Sequence, residues 1–111
     1  MSKGDFLGEF EHLVMLAIAH SGGDMGGAGI HATLEQIARR DASLPAIYVT
    51  LARLERKGYL RSREAPPAPE RGGRSRRLFS LTRAGATELR RTRSALERLW
   101  GRGDDAVADE R

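Results

Sequence analysis

Apolar residues recur every three or four positions through the first fifth of the chain. Phe6, Phe10, Leu13, Val14, Ala17 and Ile18 fall on one side of a helical wheel, with Glu9, Glu11 and His12 largely between them. The spacing predicts an amphipathic helix from about Phe6 to His20, ended by the turn signal Ser21-Gly22-Gly23. A second set, Ile30, Leu34, Ile37 and Ala38, predicts a helix from Gly27 to Arg40. Arg39 and Arg40 then stand where a helix C-terminus favours cations.

The third helix carries the clearest start and stop signals. Ser43 is a good N-cap, Pro45 lies in the first turn where its missing N–H costs nothing, and Gly58 is the expected residue after the last turn. Leu44, Ile47, Leu51 and Leu54 make its apolar stripe, with Tyr48 at the border. At about 100° per residue, Ala46, Val49, Thr50, Arg53, Arg56 and Lys57 fall on the opposite side. Two strands follow, Tyr59 to Ala65 and Arg77 to Thr82, with Leu60, Phe79 and Leu81 inward. They are joined by PPAPERGGRSR, a long loop rich in proline, glycine and arginine. Thr82 caps a last helix reaching about Trp100, on which Leu89, Leu96 and Leu99 keep a helical spacing. Residues 1–5 are expected to be a flexible arm and 101–111 an unordered tail. The fold expected is mainly α with a small β-hairpin.

A chain of 111 residues is one domain by the length prior, and no internal repeat is visible. It contains no cysteine, which excludes disulfides and thiolate metal sites. No segment reaches the roughly 20 apolar residues of a membrane helix, and MSKGDFLGEF lacks a cleavable leader pattern. A cytoplasmic protein without membrane attachment is expected.

Charge distribution adds more than the net +4. Residues 53–82 hold nine Arg and Lys against Glu55, Glu64 and Glu70, a net of +6. Residues 1–52 set three cations against six acids, a net of −3. A basic block confined to one helix and one hairpin suggests a polyanionic partner. Small and basic residues on a bare helix face suit close approach to base edges, with Ala46 and Val49 against thymine methyls and Arg53 against guanine or the backbone. Arginines on the adjoining loop would neutralise phosphates. The plainer alternative is a solvated helix face beside a solubilising loop.

Other signals point to no chemistry. Gly22-Gly23 and Gly26-Gly27-Ala28-Gly29 lack the lysine-serine pair and preceding strand of a nucleotide loop and read as flexible turns. His12, His20 and His31 do not form a metal spacing. No serine or threonine has a base and an orienting acid in sequence context, so no enzyme activity, cofactor or metal is expected.

The run Leu7-Gly8-Glu9-Phe10-Glu11, the stretch SLPAIYVTLARLERKGYL (43–60), ERGGRSRRLFSLT (70–82) and Arg83-Ala84-Gly85 together resemble the PadR family of bacterial transcription regulators. The resemblance covers about residues 6–100. It implies a winged helix-turn-helix over 6–82 and a dimerisation helix over 83–100, as in the compact branch of that family. It further implies repression of transcription, often under control of a small molecule. Tyr48 matches the family's recognition-helix tyrosine, Ser43 the helix-opening polar residue, and Arg74, Arg76 and Arg77 fall in the wing. The sequence departs from the family pattern at Met25–Ile30, at Leu78-Phe79 and at Val49.

The expected DNA-contacting set is Ser43, Ala46, Tyr48, Val49, Thr50, Arg53, Lys57, Arg74, Arg76 and Arg77, with a double-stranded operator as partner. Phe6, Phe10, Leu89, Leu96, Leu99 and Trp100 are the expected dimerisation residues of a homodimer. Trp100 is either packing in that seam or, with Phe10 and Met15, part of a site for a small aromatic effector. The rival functional class is a winged-helix module whose basic face docks an acidic protein.

Overall fold

Helix α1 (Glu9–Ser21) begins three residues later than its apolar spacing suggests. Gly8 holds an extended backbone, and the Glu11 carboxylate reaches back to accept its N–H at 2.9 Å, which fixes the start of the helix. Gly22, at φ 78°, closes the helix in the left-handed conformation. The computed structural model describes residues 7–67 and 76–108. After α1 come β1 (Met25–Gly26), α2 (Gly27–Gln36), α3 (Leu44–Arg56), β2 (Leu60–Ala65), β3 (Arg76–Leu81) and α4 (Arg83–Ala108).

The strands form one antiparallel sheet in the order β1-β3-β2. Within the hairpin Leu60 pairs with Leu81 and Ala65 with Arg76, while β1 sets Met25 opposite Phe79. The two hairpin strands match the sequence reading to within a residue. The third strand, β1, was not expected, because two residues carry no alternation to detect.

The core lies where α1, α2 and α3 meet the sheet. Val14, Met15, Ile18, Ile30, Leu34, Ile47, Leu51 and Leu54 are fully enclosed, and Phe79, Leu60 and Leu89 close the cluster. The mainly helical architecture with a small antiparallel sheet is as expected.

Three expectations about elements need correction. Helix α2 stops at Gln36 instead of Arg40, and Ile37 is 60% exposed. The chain turns there because Arg39 takes a left-handed backbone (φ 55°) and the Arg40 N–H donates to the Leu34 carbonyl at 2.9 Å. Leu44 is exposed and not part of the core stripe of α3. The segment from Gly101, expected to be an unordered tail, is helical to Ala108. A nucleated helix adds residues at little cost, so two glycines need not end it.

Candidate nucleic-acid interface

Ser43 caps α3 as expected, its hydroxyl accepting the Ala46 N–H at 3.2 Å. The buried arc of the helix is Ile47, Thr50, Leu51 and Leu54. On a wheel of about 100° per residue this arc is centred about 70° away from Leu44. That rotation brings Thr50 inward, to 4% exposure, and Leu44 outward. Thr50 therefore does not stand on the outer face. Ala46, Val49, Arg53 and Arg56 do, all of them exposed.

The rotation also moves Lys57 to the side facing α1. Its ammonium donates to both carboxylate oxygens of Glu11, at 3.1 and 3.2 Å. Lys57 is thus engaged within the chain and is not a free cation of the outer face. Glu11 is only 6% exposed and also lies 3.9 Å from the Arg53 guanidinium. By spacing alone, Glu11 falls among the positions between the apolar residues of α1. The signal that would have found it is its place three residues after Gly8, the position of a capping-box carboxylate.

Tyr48 lies half exposed across the start of α2. A Cβ on Gly27 would collide with its hydroxyl, so the glycine is what lets the ring rest there. The run Gly26–Gly29 is accordingly not a set of flexible turns: Gly26 is in β1 and Gly27 opens α2. No side chain caps that helix start and no acid occupies its first turn, so its positive dipole end is not neutralised by a carboxylate of its own. Gly26, Gly27, Ala28, Gly29, Tyr48, Arg76 and Arg77 line one groove of about 360 Å³. Tyr48 of α3 and Arg76 and Arg77 of β3, far apart in sequence, meet here.

The middle and the loop end of the hairpin are braced by side chains. Arg77 donates to the Ser62 hydroxyl at 2.9 Å and pairs with Glu64 at 3.2 Å, and Ser62 donates to Glu55 of α3 at 2.7 Å. Arg63 pairs with Asp24 at 2.8 Å. Arg76 and Arg77 are exposed. Arg74 lies outside the described residues, as does Phe6.

A second site lies between α1 and α4. His12, Leu16, Leu89, Arg90, Arg93, Leu96, Glu97 and Trp100 line a cavity of about 470 Å³. Trp100 belongs to it, but Met15 is enclosed in the core and Phe10 packs against that core, so neither lines it. Leu89 is likewise buried within its own chain and is not a free seam residue. Leu96, Leu99, Trp100 and Val107 are exposed along α4. Burial lowers the His12 pKa below its ordinary value of 6.5. Among the described residues, no group of His, Asp and Glu is placed to hold a metal ion, and no helix is long and apolar enough to cross a membrane.

The model of the Transcriptional regulator PadR-like family matches residues 15–91. An uncharacterized 37.1 kDa protein in transposon TN4556 of Streptomyces fradiae is 37% identical over 99 residues. That match covers 88% of this chain and 26% of the relative, so the chain spans about a quarter of the curated relative's length. Among solved structures, a PadR family transcription regulator from Clostridium difficile superposes with a TM-score of 0.73 at 19% identity, covering 90% of this chain and 99% of that one. A PadR family regulator from Eggerthella lenta gives 0.70 at 20%, covering 93% and 88%. Bacillus subtilis PadR in complex with operator DNA gives 0.64 at 18%, covering 74% of this chain and 45% of that one. These likenesses show a shared fold.

Proposed function

Because the chain belongs to the PadR-like family of transcriptional regulators, we propose that it is a homodimeric repressor that reads a two-fold symmetric operator and is released by a small molecule. Members of the family are DNA-binding transcription regulators, not enzymes. The observation that carries the reading is the groove joining Tyr48 to Arg76 and Arg77 over the uncapped start of α2. A tyrosine hydroxyl and the exposed Arg76 guanidinium at the positive end of a helix suit one DNA phosphate. With the backbone held there, the outer face of α3 enters the adjacent major groove, where Ala46, Val49 and Arg53 meet base edges. Ser43 fixes the start of that helix and stands beside the backbone.

The dimer in this reading forms along α4. Past Leu89 that helix keeps apolar residues outside its own core, with Leu99 73% exposed. A partner helix would cover Leu96, Leu99 and Trp100, with Phe10 at the margin. The cavity between α1 and α4 offers the effector an apolar wall and the indole of Trp100. An aromatic compound bound there would alter the spacing of the two recognition helices.

Binding of a duplex by the purified chain tests the reading directly. Arg53→Ala is expected to lower operator affinity by about 1–3 kcal/mol and to relax base preference. Arg76→Ala is expected to flatten the salt dependence by roughly 0.9 in slope. Equal binding by wild type and Arg53→Ala would remove that residue from readout, and an unchanged slope would take Arg76 off the backbone. A chain that binds no duplex at all would overturn the DNA reading.

A further inference from the structure

Glu11 faces two cations of the recognition helix from behind. Its carboxylate is nearly enclosed and is tied to the Gly8 N–H at 2.9 Å, so it cannot turn away to solvent. A charge held in such a place must be paired. Lys57 supplies the pairing at 3.1 and 3.2 Å and is itself largely covered, its side chain 24% exposed. Arg53, four residues earlier on the same helix, lies 3.9 Å away with its side chain half exposed. The two cations are therefore used differently. One is consumed by the carboxylate, while the other is held in its field with donors still free.

We propose that Glu11 is a specificity-setting positioning residue for DNA binding: it holds the Lys57 ammonium against α1 and so withholds it from phosphates, leaving Arg53 as the exposed cation of the helix. The inference rests on the DNA reading above and deepens it. A recognition helix with every cation free would bind any duplex through counterion release, which carries no sequence information. Neutralising Lys57 internally removes one such contact. The ratio of specific to non-specific affinity rises accordingly.

Glu11→Gln keeps the shape and removes the charge. Fluorescence anisotropy with a 24-base-pair duplex of random sequence, over a salt series, reads the consequence. With Lys57 released, the slope of log affinity against log salt is expected to steepen by about 0.9, so that E11Q loses roughly 3.5-fold more affinity than wild type between 0.05 and 0.2 M salt. E11Q with Lys57→Met is expected to return to the wild-type slope. A site selected from random oligonucleotides by the wild type should be preferred less strongly by E11Q. A residue that only packs α1 on α3 would weaken both DNAs together and leave the slope alone, and that outcome overturns the proposal. So does a double variant flatter than wild type, since Lys57 would then already contact phosphate. Circular dichroism reports folding, and if E11Q alone fails to fold the double variant decides. Wild type without duplex affinity would overturn the DNA reading itself, whereas duplex binding with an unaltered E11Q slope would overturn this inference alone.

Discussion

The hydrogen at Gly27 and the hydrogen at Gly85 are both needed, for different reasons. At Gly27 a Cβ would meet the far end of the Tyr48 side chain, which is half exposed and can swing into solvent. Gly27→Ala is therefore expected to cost under about 1 kcal/mol in urea denaturation, but to displace Tyr48 from the groove and weaken duplex binding. At Gly85 the Cβ would strike the Tyr59 carbonyl, a backbone group fixed by the Thr82 N–H at 3.1 Å. Nothing there can yield, so Gly85→Ala is expected to cost about 2–4 kcal/mol. Equal losses from the two changes would contradict this contrast. His12 adds a pH dependence at the same scale. Its folded pKa is depressed by burial beside Arg90, Arg93 and Glu97. The unfolded chain therefore takes up the proton more readily. Stability is full above the ordinary value of 6.5 and falls as pH drops through it towards the folded pKa. His12→Gln should flatten the urea midpoint over that interval, and an unchanged fall would assign it to other groups. Glu9, lowered by its hydrogen bond and charge pairing with Arg40, acts in a separate, more acid window, below its ordinary 4.5.

Among the elements, α3 was legible because its signals are local. A capping hydroxyl, a first-turn proline and a closing glycine act within a few residues, and Gly58 indeed takes φ 84°. Ser43→Ala is expected to lower stability by about 1 kcal/mol, read from the thermal midpoint, since it orphans the Ala46 N–H. The rotation of α3 was not legible, because Leu44 fits an apolar stripe as well as Thr50 fits a polar one. Packing against α1, α2 and β2 decides the matter. The end of α2 was hidden for a similar reason: Ile37 and Ala38 continue its period, while the left-handed Arg39 that ends it answers the need to turn into α3. Thr82 was legible as a cap and does more than that. Its hydroxyl accepts the Gly85 N–H at 3.0 Å and donates to the Gly58 carbonyl at 2.6 Å, joining the ends of α3 and β3 to the start of α4.

For the whole molecule, helix α4 and the groove set the two questions that matter, how the subunits pair and how the pair meets DNA. A 26-residue helix spans about 39 Å, yet only Gly85, Glu88 and Leu89 near its start are buried in its own chain. In the proposed dimer Leu99→Glu would place a charge in the seam. Sedimentation should then report a monomer of unchanged helicity, and a surviving dimer would move the interface elsewhere. The basic block read from the sequence is partly spent inside the fold, on Glu11, Glu64 and Asp24. Charge counting could mark the region but could not separate structural cations from those left for a partner. The central claim, a two-fold reader of DNA, is tested most directly by selecting binding sites for the full chain from random duplex oligonucleotides. An inverted repeat is expected, with half-site centres about one helical turn, roughly 10 base pairs, apart. Recovery of no consensus, as expected of a module that docks an acidic protein, or of a single asymmetric half-site, would contradict it.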